Sequence, residues 1–166
     1  MRPDLIALIP GVIFAVLLVI AAVYDFVQRR IPNWTVIALV LLFIPTVIMG
    51  LTPATWLWCL AGFAVALLGS WALYAFGIIG AGDSKLFSAA ALFMGFGNLL
   101  MLFSATAIAG GILAIGFVVA RPKQAMRGLT ARGRAESTSR GIPYGVAIAI
   151  GALFTAAATH FLKLPA

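Results

Sequence analysis

Long hydrophobic runs alternate with short polar segments along the whole chain. The runs cover residues 5–24, 34–49, 56–76, 86–96, 99–120 and 142–161. A bilayer core about 30 Å thick needs roughly 20 apolar residues of helix per crossing. No charged residue lies between Leu86 and Ala120, a stretch too long for one helix, and the cluster from Gly95 to Asn98 is predicted to divide it. The pattern predicts an all-α membrane protein, a polytopic bundle of about six transmembrane helices in one membrane-embedded domain, residues 1–166.

The composition excludes a water-soluble globule and a disordered chain. Hydrophobic residues make up 64% and charged residues 9% of the 166 positions, whereas soluble domains carry about 25% charged residues. The one cysteine, Cys59, excludes an internal disulfide framework and a multi-cysteine zinc site. The one histidine, His160, lies near the end of the last run, and a metalloprotease needs clustered histidines.

The basic residues predict the orientation in the membrane. The formal net charge is +7, which by itself resembles a nucleic-acid-binding signal. However, all of the 11 lysines and arginines except Arg2 and Lys163 fall on alternate loops, and six of those lie in the segment 121–140. Cytoplasmic loops of membrane proteins collect such residues. We therefore expect both termini outside, a basic cytoplasmic loop 121–140 near membrane lipid, and no nucleic-acid partner.

Two acidic residues abut hydrophobic spans on the predicted cytoplasmic side. The chain has four acids, of which Asp25 follows the first run and Asp83 precedes the fourth. A pair of carboxylates suffices for water-driven amide hydrolysis, since one takes a proton from water while the other donates a proton to the carbonyl and the leaving amine. The alternative is that each acid only pairs with a neighbouring cation at the headgroup boundary, Asp25 with Arg29 or Arg30, and Asp83 with Lys85.

Three motifs occur in order along the chain. They are Ile31-Pro32-Asn33 after Asp25, then Gly80-Ala81-Gly82-Asp83-Ser84-Lys85-Leu86, then Ile142-Pro143-Tyr144-Gly145-Val146-Ala147-Ile148. The second matches the GxGD signature of intramembrane aspartyl peptidases. Together they resemble the type IV prepilin peptidase family, most closely its short branch that serves Flp (Tad) pili, and the resemblance extends over nearly the whole chain.

The resemblance implies roles for individual residues. Asp25 and Asp83 match the catalytic dyad, and Gly80 and Gly82 match the glycines that shape the turn before the second aspartate. The remaining matches are residues that shape the active site or contact the substrate, namely Lys85, Pro32, Asn33, Pro143, Tyr144 and Gly145. The position two after the first aspartate is often basic in relatives and is Val27 here. Long members carry a cysteine-bearing domain linked to N-methylation, which this chain lacks.

The resemblance also implies an activity. We expect an aspartyl endopeptidase of the bacterial inner membrane that removes the short basic leader of prepilins at the cytoplasmic face, without methyl transfer and without a metal or organic cofactor. Prepilins or pseudopilins are the expected partners, with pilus assembly or secretion machinery as further candidates. Two alternatives stay open on the residues alone: a small proton-coupled transporter or channel that relays protons through intramembrane carboxylates, and a non-enzymatic secretion scaffold.

Overall fold

The computed structural model describes residues 3–52, 54–120 and 143–161, and over these ranges the chain is all-α. The described helices are α1 (Pro3–Gln28), α2 (Asn33–Ile48), α3 (Trp56–Ala75), α4 (Ala81–Met94), α5 (Leu99–Ala120) and α6 (Tyr144–Phe161). Over these ranges the predicted all-helical architecture with six helices is therefore confirmed. The predicted basic loop 121–140, Ile142, and the chain ends from which an outside location was predicted lie outside the described residues.

The helices differ in their capacity to cross a bilayer. Three stretches are long and apolar enough to do so, Leu8–Gln28, Trp56–Ala75 and Phe96–Ala120. The second and last helices are apolar but shorter. With 14 residues, α4 is about 21 Å long, because an α-helix rises 1.5 Å per residue. Within the described residues, the prediction of six crossings thus corresponds to three helices long enough to span a bilayer and shorter helices packed among them.

The short helix α4 lies in the centre of the bundle. It packs on α2, α3, α5 and α6, and its Leu86, Ala89 and Ala90 are fully buried. Small side chains on α4 let the neighbouring helices approach closely, as is common where membrane helices pack. A helix surrounded in this way holds its first turn in a fixed position relative to its neighbours.

Two helices extend beyond the hydrophobic runs, and both extensions include an acid. Helix α1 continues to Gln28, so that Asp25 lies in its last turn, and α4 begins at Ala81, five residues before the predicted start at Leu86. Hydropathy missed the first turn of α4 because that turn is polar and glycine-rich. Polar residues are nevertheless favourable at a helix start, where their side chains can accept hydrogen bonds from unpaired backbone amides.

The predicted division between the fourth and fifth helices lies at Gly95. This glycine has φ 72°, and a 3-10 turn, Phe96–Asn98, follows it. The turn packs tightly on α3, since a Cβ placed on Gly62 would lie 2.8 Å from the backbone nitrogen of Phe96. The chain therefore reverses direction after α4 and returns along the bundle as α5.

One end of the bundle collects the ends of two helices and the starts of three others. Hydrogen bonds join the start of α6 to the last turn of α1, the last part of α3 to the first turn of α4, and the first turn of α4 to the start of α2. We call this end the site end, because both acids singled out in the sequence lie there.

Candidate active site

Asp25 is held by the first turn of a helix that is distant in sequence. Its side chain is only 7% exposed, and its Oδ2 accepts a hydrogen bond of 2.8 Å from the backbone N–H of Gly145, 120 positions along the chain. Gly145 is the second residue of α6, where backbone amides have no partner within the helix. The positive end of the helix dipole also favours a carboxylate there. The start of α6 therefore both orients and stabilises this carboxyl group.

The space at position 145 favours a glycine, in addition to the hydrogen bond that its backbone donates. A Cβ at this position would lie 2.9 Å from both the Cβ and the Oδ2 of Asp25 and 3.0 Å from its Cγ. Carbon atoms in favourable contact are about 3.5–4.0 Å apart. The sequence predicted Gly145 as a residue that shapes the active site, and the structure places it in direct contact with Asp25.

Asp83 is held by the start of its own helix. It lies in the first turn of α4, where its Oδ2 accepts a hydrogen bond of 3.2 Å from the backbone N–H of Gly80, the N-cap residue. This is the reciprocal half of a capping box. Gly82 lets α4 pack against the α1–α2 connection, because a Cβ there would lie 3.3 Å from the Cβ of Ile31. The two glycines of the motif thus have separate functions.

The surroundings of Asp83 favour its protonated form. It lies in the polar first turn, outside the three candidate spans. Burial raises the pKa of the Asp83 carboxyl to about 6, and the negative charge of Asp25 acts in the same direction, against the lowering effect of the hydrogen bond from Gly80. Two carboxyl groups close enough to influence each other in this way do not ionise independently. The pair can therefore hold one proton between them up to about pH 6, well above the pH at which an ordinary aspartate ionises.

Both carboxyl groups line one cleft of about 350 Å³ at the site end. Its other lining residues come from the α1–α2 connection, the start of α2 and the GxGD segment: Arg29, Arg30, Ile31, Asn33, Gly80, Ala81, Gly82 and Lys85. Because water can enter a polar cleft of this size, the two acids share access to the reagent that amide hydrolysis needs.

The cations of the cleft explain only part of the environment of the acids. The charge of Arg29 attracts that of Asp25, as the simple ion-pair interpretation expected. Lys85, however, is exposed, and its ammonium group donates a hydrogen bond of 3.5 Å to Asn33 Oδ1. Lys85 therefore connects the first turn of α4 to the start of α2.

The other candidate residues lie around the cleft with different surroundings. Pro32 is the N-cap of α2, and its carbonyl accepts hydrogen bonds from the backbone amide and the hydroxyl of Thr35. Pro143 is buried immediately before α6. Tyr144 lines a separate apolar groove rather than the cleft. These residues lie at the starts of α2 and α6, two helices that pack against both helices that carry the acids.

A buried chain of hydroxyl groups was not predicted from the sequence. Ser70 on α3 forms a 2.7 Å hydrogen bond with the Ser84 hydroxyl and lies 3.4 Å from that of Ser88, which itself donates to the Ser84 carbonyl at 2.7 Å. Ser84 directly follows Asp83, so these bonds fix the first turn of α4 against α3. The spacing of Ser84 and Ser88, four apart and so on one face of α4, is a signal that could have indicated this contact.

Among the described residues, no group of three or more histidine, cysteine or acidic side chains is placed to hold a metal ion. The chemistry available in the cleft is that of two carboxyl groups, water and three cationic side chains. Such a set can take a proton from water at one carboxylate and supply a proton at the other carboxyl.

Comparison with known proteins gives one match. The model of the type IV leader peptidase family matches residues 12–115, a range that contains Asp25, the α2 start and the GxGD segment. Searches of curated proteins and of solved structures found no match. The match ends before α6, so the contact between Gly145 and Asp25 is an observation of the structure alone.

Proposed function

Because the chain belongs to the type IV leader peptidase family, we propose that it is a membrane aspartyl endopeptidase in which Asp25 and Asp83 activate water to cleave the leader from prepilin-type substrates. The observation that carries this proposal is the shared cleft, which both carboxyl groups line although they are far apart in the sequence. The family is one of peptidases, and within the described residues these are the acids of that cleft.

The proposed reaction needs no group beyond the two acids and water. One ionised carboxylate takes a proton from water as the oxygen attacks the carbonyl carbon of the scissile bond. The other, protonated carboxyl donates its proton to the carbonyl oxygen, giving a neutral tetrahedral diol. Collapse of the diol breaks the C–N bond, with one proton passing to the leaving amine and one returning to the dyad, so the pair ends with the single proton it began with.

The substrate is proposed from the family and from the position of the cleft at one end of the bundle. A prepilin has a short basic leader followed by an apolar helix, so its cleavage site lies at a membrane surface. We propose an inner-membrane location with the cleft on the cytoplasmic side, Flp (Tad)-type prepilins as substrates, and pilus assembly or secretion machinery as the wider context. Cleavage without methyl transfer is part of the same proposal. Cys59 is buried in α3, away from the cleft lining.

A proton relay is less well supported by the arrangement. Carboxyl groups that carry protons across a bilayer are expected at successive depths, whereas Asp25 and Asp83 lie together at one end of the described bundle. A scaffold without enzymatic activity would not require two carboxyl groups to share a cleft. Both alternatives predict that conservative substitution of either acid leaves pilin length unchanged.

The test is co-expression of the protein with a Flp-type prepilin in bacterial membranes. Wild type should shorten the pilin on a gel, with N-terminal sequencing locating the cut, and D25N and D83N should each abolish the shift while inserting at wild-type levels. K85Q, which removes a charge from the cleft rim without touching the acids, provides a comparison for a general electrostatic effect. Cleavage by both Asn variants would show that the aspartyl mechanism is wrong.

A further inference from the structure

A long apolar groove runs along the bundle beside the cleft. Its volume is about 880 Å³, and its walls are one face of α3, from Val65 to Leu73, and one face of α5, from Leu99 to Ala114. Phe87 of α4 and Ile148 of α6 form its floor. Nothing in the proposed chemistry uses this groove, yet Asp83 is among its lining residues as well as among those of the cleft.

The dimensions of the groove suit a helix. Its α5 wall spans residues 99–114, which corresponds to about 22 Å of helix at 1.5 Å per residue. The volume divided by that length gives a cross-section of about 40 Å², between about a third and a half of that of an α-helix 10–12 Å wide with its side chains. A helix could therefore lie in the groove with one side against the protein and the other toward lipid.

The walls are also built for close approach by another helix. Small residues recur along both faces, among them Ala66 and Gly69 on α3 and Ala107 and Gly111 on α5. A Cβ added to Gly69 or to Gly111 would meet nothing within 4 Å. These glycines are therefore not needed for packing among the described helices, and they leave open the space that a partner helix would fill.

We propose that this groove holds the apolar helix that follows the scissile bond of the substrate, an inference that rests on the proposed function. The connection between the groove and the cleft at Asp83 indicates which molecule occupies the groove. A peptide that enters the groove as an apolar helix and leaves it past Asp83 passes directly into the polar cleft, so its helix start lies beside the carboxyl pair. A free lipid chain would not need the groove to open into the polar cleft, because a lipid chain has no peptide bond to present to the carboxyl pair.

The test fills the groove without disturbing the fold. G69L and G111L place a large side chain in open space, and G116L is the matched control, because Gly116 is also without neighbours within 4 Å and is not part of the groove lining. Each variant is assayed on full-length prepilin and on a short peptide that contains the leader and the scissile bond but lacks most of the apolar segment.

We expect G69L and G111L to raise KM for the full-length prepilin on the order of tenfold, as overpacking of a helix contact does. Turnover of the short peptide should change by less than twofold, and G116L should behave as wild type on both substrates. Equal behaviour of all three variants on the prepilin would overturn the groove proposal while the peptidase function stands. Failure of the wild type to cleave either substrate would instead remove the function on which the proposal rests.

Disulfide trapping provides a second measurement that does not depend on turnover. In a C59A background, V65C places a thiol on the groove wall, and L68C places one on α3 at a position that is 67% exposed and outside the groove. Among single cysteines along the apolar segment of the prepilin, only one or two positions three or four residues apart should cross-link to V65C, because a helix rises 1.5 Å per residue, and none should cross-link to L68C. Cross-linking spread over many prepilin positions, or equal to V65C and L68C, would overturn the groove proposal.

Discussion

The contact between Gly145 and Asp25 gives the sharpest test of the proposed site. In G145A the new Cβ would lie 2.9 Å from the Asp25 Cβ, about 1 Å closer than carbon atoms normally pack. The obstructing atom belongs to a short side chain fixed on α1, so rotation of a flexible end cannot relieve the contact. The start of α6 and the last turn of α1 must therefore move apart by a comparable distance.

The consequence for activity can be estimated from that displacement. The hydrogen bond from the Gly145 amide to Asp25 is 2.8 Å long, and a shift near 1 Å would break it or turn the carboxyl group. A misplacement of about 1 Å in a catalytic group can cost on the order of 100-fold in rate. Overpacking should also cost about 1–3 kcal/mol of stability. We expect kcat/KM for prepilin cleavage to fall between about 10- and 100-fold.

The assay measures prepilin cleavage by purified protein in lipid vesicles, with unfolding in detergent followed in parallel. G11A is the matched control, because Gly11 lies on the same helix as Asp25 and an added Cβ there meets nothing within 4 Å. A folded G145A protein with the kcat/KM of wild type would refute the assignment of the α6 start as the support of Asp25.

Three further predictions concern the same end of the bundle and its supports. Since the pKa of Asp83 is raised to about 6, the singly protonated pair is depleted as pH rises above that value. kcat/KM should then fall about tenfold per pH unit in the alkaline limb, whereas a flat profile from pH 5.5 to 8 would contradict the shared proton. G151A should destabilise the protein by about 1–3 kcal/mol in detergent unfolding, because the added Cβ would lie 2.7 Å from the Thr106 backbone nitrogen on α5; unchanged unfolding would show that this crossing can relax. S84A should lower stability by about 1–3 kcal/mol through loss of the buried bond to Ser70, and an unfolding curve like that of wild type would show that the hydroxyl chain is not needed to hold α4.

The sequence predicted the architecture well where hydrophobicity dictates it. The break at Gly95 and four of the six runs correspond closely to described helices, because apolar runs separated by turn residues are a strong signal. The start of α4 was predicted too late, because hydropathy does not register a polar first turn. The capping pattern does indicate such a turn, since an Asp three residues after a Gly is recognisable as a helix start.

The two acids of the site could be predicted from the sequence, whereas the residues and spaces around them were harder to predict. Asp25 and Asp83 stood out because carboxylates are rare in so apolar a chain. The role of Gly145 could not follow from spacing, since the hydrogen bond joins residues 120 positions apart and depends on how α6 packs on α1. The groove was also invisible in the sequence, because it is a space between α3 and α5, and each wall alone resembles any lipid-facing helix.

The junction between cleft and groove bears on which bond the site can cut. Every carbonyl inside an apolar helix is hydrogen-bonded within that helix, and freeing one in a membrane costs several kcal/mol. Such a bond would reach the carboxyl pair only after the helix unwinds. At the start of a helix the preceding residues have no such bonds to break, and a substrate helix seated as proposed would present them at Asp83, which lines both the groove and the cleft. In this arrangement selectivity arises from the position of the boundary between polar leader and apolar helix, which a groove that holds the helix would set, rather than from a pocket for one side chain.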